Sequence, residues 1–374
     1  MKVPFQFLNF DSMHRMGLIM IFILSLVPGI CEAQDSVFRI FLVGDAGEDR
    51  ETGTTLKNLG RDLLQHPNSA VLFLGDNSYK GAAGNLLPFG FLGFDSTQLT
   101  QDKVRSQLTI LTGYKGFVFF IPGNHDWWNS ETADKGRRKL KIEENFIEEN
   151  LKKNESIANP PNVFLPRDGN PGPELVELAN HKIALIIIDI YSLMVPGFAK
   201  KNRDSLAREL AFYKQLDSLL KRSAALKQKI IIAAHHPVVL RGPYGKLLKD
   251  PELFSRIKAS NINFPTYKRI SDTIRTMIQQ FPGSYYVSGH LHALQYIVPG
   301  DGIHYIISGA GSKTNHVSQK HIDEIQPDPK HQYLLWNNKG YFELIFSNSG
   351  EQVVMHYDEG EHVLNMNAVI GKDE

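Results

Sequence analysis

The stretch Val37-Phe-Arg-Ile-Phe-Leu-Val-Gly-Asp-Ala-Gly47 runs from an apolar segment straight into a Gly-Asp pair. A Val-, Ile- and Phe-rich run of this length reads as a buried strand of a central sheet. A polar residue directly after such a strand sits at the carboxyl edge of the sheet, where α/β proteins build their sites. The pattern recurs along the chain. AVLFL precedes Gly75-Asp76-Asn77-Ser78-Tyr79, and FVFFIP precedes Gly123-Asn124-His125-Asp126. KIIIAA precedes His235-His236-Pro237, and YYVS precedes Gly289-His290-Leu291-His292. Asp, Asp, Tyr, Asn and His brought to one edge form a donor set able to hold more than one metal ion.

Helical segments separate these strands. Leu56, Leu59, Leu63 and Leu64 give residues 51–66 a helical spacing, and a further helical stretch ends near Leu111. Charged residues 137–153 read as an exposed helix, 204–226 as an amphipathic one, and 266–281 as another. KIALIIID (182–189) and IHYIISGAG (303–311) read as strands. Near the C-terminus the period falls to two in YFELIFSNSGEQVVMHY, with Asn348-Ser349-Gly350 as the hairpin turn. Residues 81–95 and the Pro/Gly-rich 159–173 read as loops, and no repeat or low-complexity linker interrupts the chain. The economical architecture is α/β: a four-layer αββα sandwich of two mixed β-sheets flanked by helices, one domain over 34–374.

The chain has 374 residues, 42% of them hydrophobic, enough for a sizeable core, and a formal net charge of +1. This balance gives no surface suited to nucleic acid. A monomer acting on a small substrate is expected. His14 and Arg15 precede an apolar run from Met16 to Val27. Pro28 and Gly29 break that run, and Cys31-Glu32-Ala33 precedes Gln34. Residues 1–33 therefore read as a secretory signal peptide, too short in its apolar part for a comfortable membrane span. Translation from Met13 or Met16 would shorten its basic start, and an uncleaved anchor is the competing reading. Ile30 is bulky for the position before a lipid-modified cysteine. Cys31 is the single cysteine, so the mature chain would carry no disulfide. A secreted or periplasmic location follows.

Within the islands, Asp45 and Asp76 are hard oxygen ligands, each beside a glycine that lets the backbone turn. A carboxylate bridging two metals holds them ~3.5–4 Å apart, the two-metal arrangement for in-line displacement. Tyr79 is placed to coordinate as phenolate, a strong anionic donor that favours a trivalent ion. Asn124 offers a carbonyl oxygen. His125 faces the other way along an extended chain and is available as a phosphate contact or proton donor, with Asp126 set to orient its ring. Of the neighbours His235 and His236, one is expected to be a ligand. His290 and His292, spaced i, i+2 past a strand end, can straddle two metals.

The five islands, in this order, resemble the calcineurin-like metallophosphoesterase superfamily. Gly75-Asp76 with Tyr79, the run 289–296 and Ser308-Gly-Ala-Gly311 resemble its small, tartrate-resistant purple acid phosphatases. The resemblance spans about Val37 to Tyr357. It implies that Asp45, Tyr79 and His292 hold Fe3+, that Asn124, His235 and His290 hold a divalent Fe2+, Zn2+ or Mn2+, and that Asp76 bridges them. His125 would bind phosphate and protonate the leaving group while a metal-bound hydroxide attacks phosphorus. Related phosphatases carry a second pocket histidine after the His-x-Pro island. Here residues 238–245 contain none, and Arg241 or Tyr244 stands in its place. Trp127 and Trp128 serve either a pocket wall or the core. The resemblance implies an exported dinuclear-metal acid phosphatase acting on phosphomonoesters. A phosphodiesterase or nucleotide-cleaving enzyme on the same scaffold is the alternative. A non-catalytic metal-binding envelope protein is disfavoured by the complete donor set.

Overall fold

Thirteen strands form two sheets in the described residues of the computed structural model, which are 37–49, 51–79, 96–127, 133–153, 157–159, 162–195, 203–241, 264–314, 332–335, 337–357 and 360–365. The signal segment 1–33, Trp128 and Tyr244 lie outside them. In the first sheet β1 (Phe38–Val43), β2 (Ser69–Phe73) and β3 (Phe117–Phe120) run parallel. Beyond β1 come β11 (Gly340–Ser347), β12 (Gly350–Tyr357) and β13 (Gly360–Asn365), each antiparallel to the strand before it. In the second sheet β5 (Ile183–Ile187), β6 (Lys229–Ala233), β7 (Tyr285–Ser288) and β9 (His304–Ser308) run parallel. β4 (Glu174–Leu178) flanks β5 antiparallel, while β8 (Leu294–Ile297) and β10 (Gln332–Leu335) extend the β9 side antiparallel. Both sheets are mixed, with parallel centres and antiparallel margins.

The period of two in the strands divides the core into layers. Phe38, Ile40 and Leu42 of β1, with Leu72 of β2 and Phe119 of β3, pack on Leu185, Ile231, Val287 and Ile306 of the other sheet. Phe41, Val43, Val71, Phe73 and Phe120 point outward and are covered by Leu56, Leu59 and Leu63 of α1 (Thr54–Gln65), with further cover from α2 (Ser96–Thr109) and α3 (Ala133–Leu151). On the outer face of the second sheet, Ile186, Ile230 and Ile232 meet α5 (Arg203–Ala225) through Phe212, Leu216 and Leu220. They also meet α6 (Pro265–Ile278), which starts on a helix-compatible proline and buries Tyr267, Ile270, Ile274 and Ile278. The short α4 (Ile190–Met194) is capped by Asp189, whose carboxylate accepts from the Ser192 amide. The layers are the αββα order the sequence implies. Leu64, expected on the buried stripe of α1, is exposed.

Five parallel strands, three from the first sheet and two from the second, deliver the polar islands to one end of the sandwich. Replacing Leu72, buried between the sheets, by alanine is expected to cost about 2–5 kcal/mol. This would be read as a lower urea midpoint at unchanged slope; a loss under about 1 kcal/mol would mean the inter-sheet layer closes around the cavity.

Candidate metal centre

At this end the sheets meet through main chain. The Gly44 amide donates to the Ser308 carbonyl at 2.7 Å and the Gly311 amide to the Gly44 carbonyl at 3.0 Å. A Cβ on Gly44 would stand 3.0 Å from the Gly289 Cα and 3.1 Å from the Ser308 carbonyl oxygen, so a larger side chain would push the sheets apart. Asp45 and Asp76 then turn in the left-handed region, at φ 56 and 53, a conformation several-fold enriched in Asp among non-glycine residues. The sequence suggests that neighbouring glycines make this turn; the structure puts it on the aspartates themselves, joined by Gly75 at φ 87. His290 is left-handed too, at φ 70, which ends the strand and sends His290 and His292 to different partners.

Two clusters of donor atoms result. In one, the Tyr79 hydroxyl donates to Asp45 Oδ1 at 2.7 Å and lies 3.1 Å from His292 Nε2, itself 3.3 Å from Asp45 Oδ1. In the other, Asn124 Oδ1 lies 3.2 Å from His235 Nε2 and 3.0 Å from His290 Nδ1, and the two ring nitrogens are 3.3 Å apart. Asp76 Oδ1 is 3.4 Å from His235 Nε2 and accepts the His125 amide at 2.8 Å. The His290 amide donates to Asp45 Oδ2 at 2.7 Å, tying the clusters together. Ligand atoms of Asp45, Asp76 and His235 all lie within 4.8 Å of one another, a group able to hold a metal ion.

The donor chemistry fits cations. His235 Nδ1 sits 2.8 Å from the Leu74 carbonyl, which accepts its N–H and leaves Nε2 directed at Asn124 and Asp76. Metal–nitrogen bonds of ~2.0–2.1 Å space neighbouring ligand atoms about 3 Å apart, the spacing found in both clusters. The electrostatics agree. Burial works to raise Asp76, but the charges of His235 and His125 and the bonds they make hold it well below the usual carboxylate range. Burial works to lower His235, yet the Asp76 carboxylate carries it to about 9. A proton thus takes the place beside Asp76 that suits a cation. Burial, together with the charges of Asp45 and Asp76, drives the Tyr79 hydroxyl well above its ordinary pKa, so its conversion to phenolate needs a strong Lewis acid.

The remaining expected residues divide. The His125 ring packs on the Tyr79 ring with centroids 4.5 Å apart; burial lowers its pKa, the Asp76 charge opposes this and Lys313 reinforces it. Asp126 does not orient His125. Its Oδ2 accepts from the Gly123 amide at 2.7 Å and from the Asn77 amide and side-chain nitrogen at 3.2 Å, and its Oδ1 from the Ser78 amide at 3.0 Å. Asp126 therefore ties the loops after β2 and β3 into one unit. Glu143 of α3 is buried beside it, its carboxyl pushed by burial to about 7, with Ser78 Oγ 3.4 Å from Oε2. His236 is fully buried, stacked on Tyr191 at 5.6 Å, its ring centre 4.3 Å from that of His290, and neither ring nitrogen has a hydrogen-bond partner among the described residues. Burial and the neighbouring histidines hold it neutral, making it an uncharged wall behind His290. Arg241 is fixed at its main chain by Gln295, which donates to its carbonyl at 2.9 Å and accepts its amide at 3.1 Å. Trp127 belongs to the core, donating to Asp189 at 2.9 Å. Lys313, absent from the sequence expectation, stands over the Tyr79 ring and pairs with Glu48; its only signal is that it follows Ser308-Gly-Ala-Gly311 by two positions.

A sandwich of two mixed sheets whose parallel strands end in paired donor clusters defines a metal-dependent hydrolase. The calcineurin-like phosphoesterase family matches residues 38–294, and the chain belongs to that family. Membership makes it a metal-dependent phosphoesterase and implies a dinuclear metal centre. Three solved structures share the fold. GAP50, the anchor in the inner membrane complex of Plasmodium, aligns at TM-score 0.52 and 17% identity over 88% of this chain and 89% of that one. A dimetal phosphatase from Danio rerio aligns at 0.51 and 12% identity over 88% and 98%, respectively. PhoD aligns at 0.52 and 10% identity over 88% and 68%. No curated protein matches the sequence significantly.

Gly123→Ala would place a Cβ 2.2 Å from Asp76 Oδ1 and is expected to weaken metal affinity about 10–100-fold; metal analysis after dialysis that matched the parent would refute this. Burial raises Asp189 to about 7 from an unfolded value of about 3.9. The folded state therefore keeps a proton that the unfolded chain has lost. The stability Asp189 contributes is whole below about pH 4 and disappears as pH rises through about 7. Urea midpoints measured across this range should fall with rising pH, less steeply in Asp189→Asn; parallel curves would contradict the assignment.

Proposed function

We propose that this protein is an exported dinuclear-metal acid phosphatase acting on phosphomonoesters, of the purple type. The observation that carries the reading is the Tyr79 hydroxyl, 2.7 Å from Asp45 Oδ1 and 3.1 Å from His292 Nε2. A phenol among a carboxylate and an imidazole is a donor set for Fe3+. Asp45, Tyr79 and His292 would hold that ion and Asn124, His235 and His290 a divalent Fe2+, Zn2+ or Mn2+, with Asp76 between. Such a centre supplies a water of lowered pKa and two positive charges against the phosphoryl oxygens. The chain's own groups do the rest. Leu74 and His236 fix the rings of His235 and His290, and Asp126 holds the loops carrying Asp76 and Asn124 in register. His125, partly exposed on the Tyr79 ring and hydrogen-bonded through neither ring nitrogen to a described residue, faces the leaving group and donates its proton. Export is supported by the apolar run Met16 to Val27 with its flanking break; no helix among the described residues is long and apolar enough to cross a membrane. The titles of the Danio rerio dimetal phosphatase and PhoD fit a catalytic role, and the intact donor set favours it over an anchoring one like that named for the Plasmodium protein.

The purified holo-protein should contain two metals per chain, show visible tyrosinate–iron absorption and hydrolyse a nitrophenyl monoester fastest at acidic pH. Tyr79→Phe should abolish the colour, and a colourless parent ends the purple-type reading. His125→Ala should lower kcat about 10²–10⁴-fold with metal content unchanged. Faster turnover of the bis-nitrophenyl diester than of the monoester would move the assignment to a phosphodiesterase.

A further inference from the structure

We propose that Lys313 is the residue that recognises the second negative charge of a monoester phosphoryl group, a proposal that rests on the phosphatase reading above. Lys313 is anchored to the metal-site loop by its neighbours. The Gly311 amide bonds to the Gly44 carbonyl at 3.0 Å, and the Ser312 amide and hydroxyl both donate to the Asp45 carbonyl, at 3.2 and 2.6 Å. The Ser312 oxygen in turn accepts the Glu48 amide at 3.0 Å. The residue before Lys313 is therefore tied to Asp45, two positions past the end of β1, which holds the main chain of Lys313 beside the donor loop.

Its side chain turns inward. Lys313 Nζ stands 3.2 Å from the centre of the Tyr79 ring, the ring that His125 also packs against. The Tyr79 ring thus contacts both a candidate proton donor and an ammonium, and its hydroxyl meets Asp45 and His292. Nζ also pairs with Glu48 at 3.4 Å, with the two side chains 28% and 45% exposed. A solvent-reached pair of this kind is weak and yields to a better anion. The Lys313 ammonium adds a positive charge that distinguishes a phosphomonoester, whose doubly ionised form carries two negative charges, from a diester, which carries one.

The test is Lys313→Met and Lys313→Arg in the metal-loaded protein, with orthophosphate as probe. In Lys313→Met, orthophosphate binding by calorimetry and KM for a nitrophenyl monoester should both weaken about 10–100-fold, the range of a lost charge-assisted hydrogen bond. Metal content should be unchanged, kcat/KM for the bis-nitrophenyl diester should stay within about threefold of the parent, and Lys313→Arg should restore most of the loss. Unchanged orthophosphate affinity in Lys313→Met overturns the proposal. So does an equal loss on both esters, or a loss that tracks metal content, since either marks Lys313 as a structural cap on Tyr79. A parent protein that binds orthophosphate but cleaves no ester sinks the phosphatase reading alone, because the calorimetric comparison still decides the contact.

Discussion

The hydrogen bond from the Gly44 amide to the Ser308 carbonyl, at 2.7 Å, joins two sheets that elsewhere pack through side chains. Sheets packed face to face ordinarily stand about 10 Å apart. Bringing their backbones into contact at one end requires residues without side chains on the facing positions, and Gly44 against Gly289 satisfies this. The convergence sets the distance between the strand ends. Asp45, Asp76 and Asn124 come from one sheet and His235, His290 and His292 from the other. Without the closure they would face each other across a core of Leu, Ile and Phe side chains.

The closure concentrates charge. Asp45 and Asp76 are both buried; the nearby lysines are engaged with other groups, Lys103 with the Tyr79 carbonyl and Lys313 with the Tyr79 ring and Glu48. What balances the two carboxylates within the protein is His235 and a ring of backbone amides. Around this anionic centre the other buried acids are held toward their neutral forms: burial raises Asp126, Glu143 and Asp189 alike. His236 is held neutral by the same means. The result is a strongly polarised spot among buried acids held toward their neutral forms, a low-dielectric setting in which a cation is bound strongly.

Much of this was legible in the chain. Apolar runs ending in Gly-Asp, Gly-Asn-His, His-His and Gly-His-x-His identified five strands and the end of the sandwich at which their donors gather, because strand polarity and side-chain period are local properties. Asn124 and His125 face different neighbours, as do His235 and His236. Other features were set by distant parts of the chain. The backbone conformations of Asp45, Asp76 and His290 follow from the approach of the second sheet, so glycine seemed the natural place for those turns. Asp126 follows His125 in sequence, but its partners are the amides of Gly123, Asn77 and Ser78, most of which come from a different loop. Strands β4, β8 and β10 are only four or five residues long and carry too few side chains to declare a period. Lys313 had no motif of its own; its relevance lies in the ring it covers.

The amide of His290 reaches the carboxylate of Asp45 across 245 positions of chain. Such a contact is among the last a chain can make, because the entropy of closing so long a loop must be met before the contact returns anything. Each donor cluster draws ligands from both sheets, so no fragment confined to one sheet holds a complete ion site. The centre comes into existence only when both sheets have docked, and capture of metal is therefore a report that folding is complete.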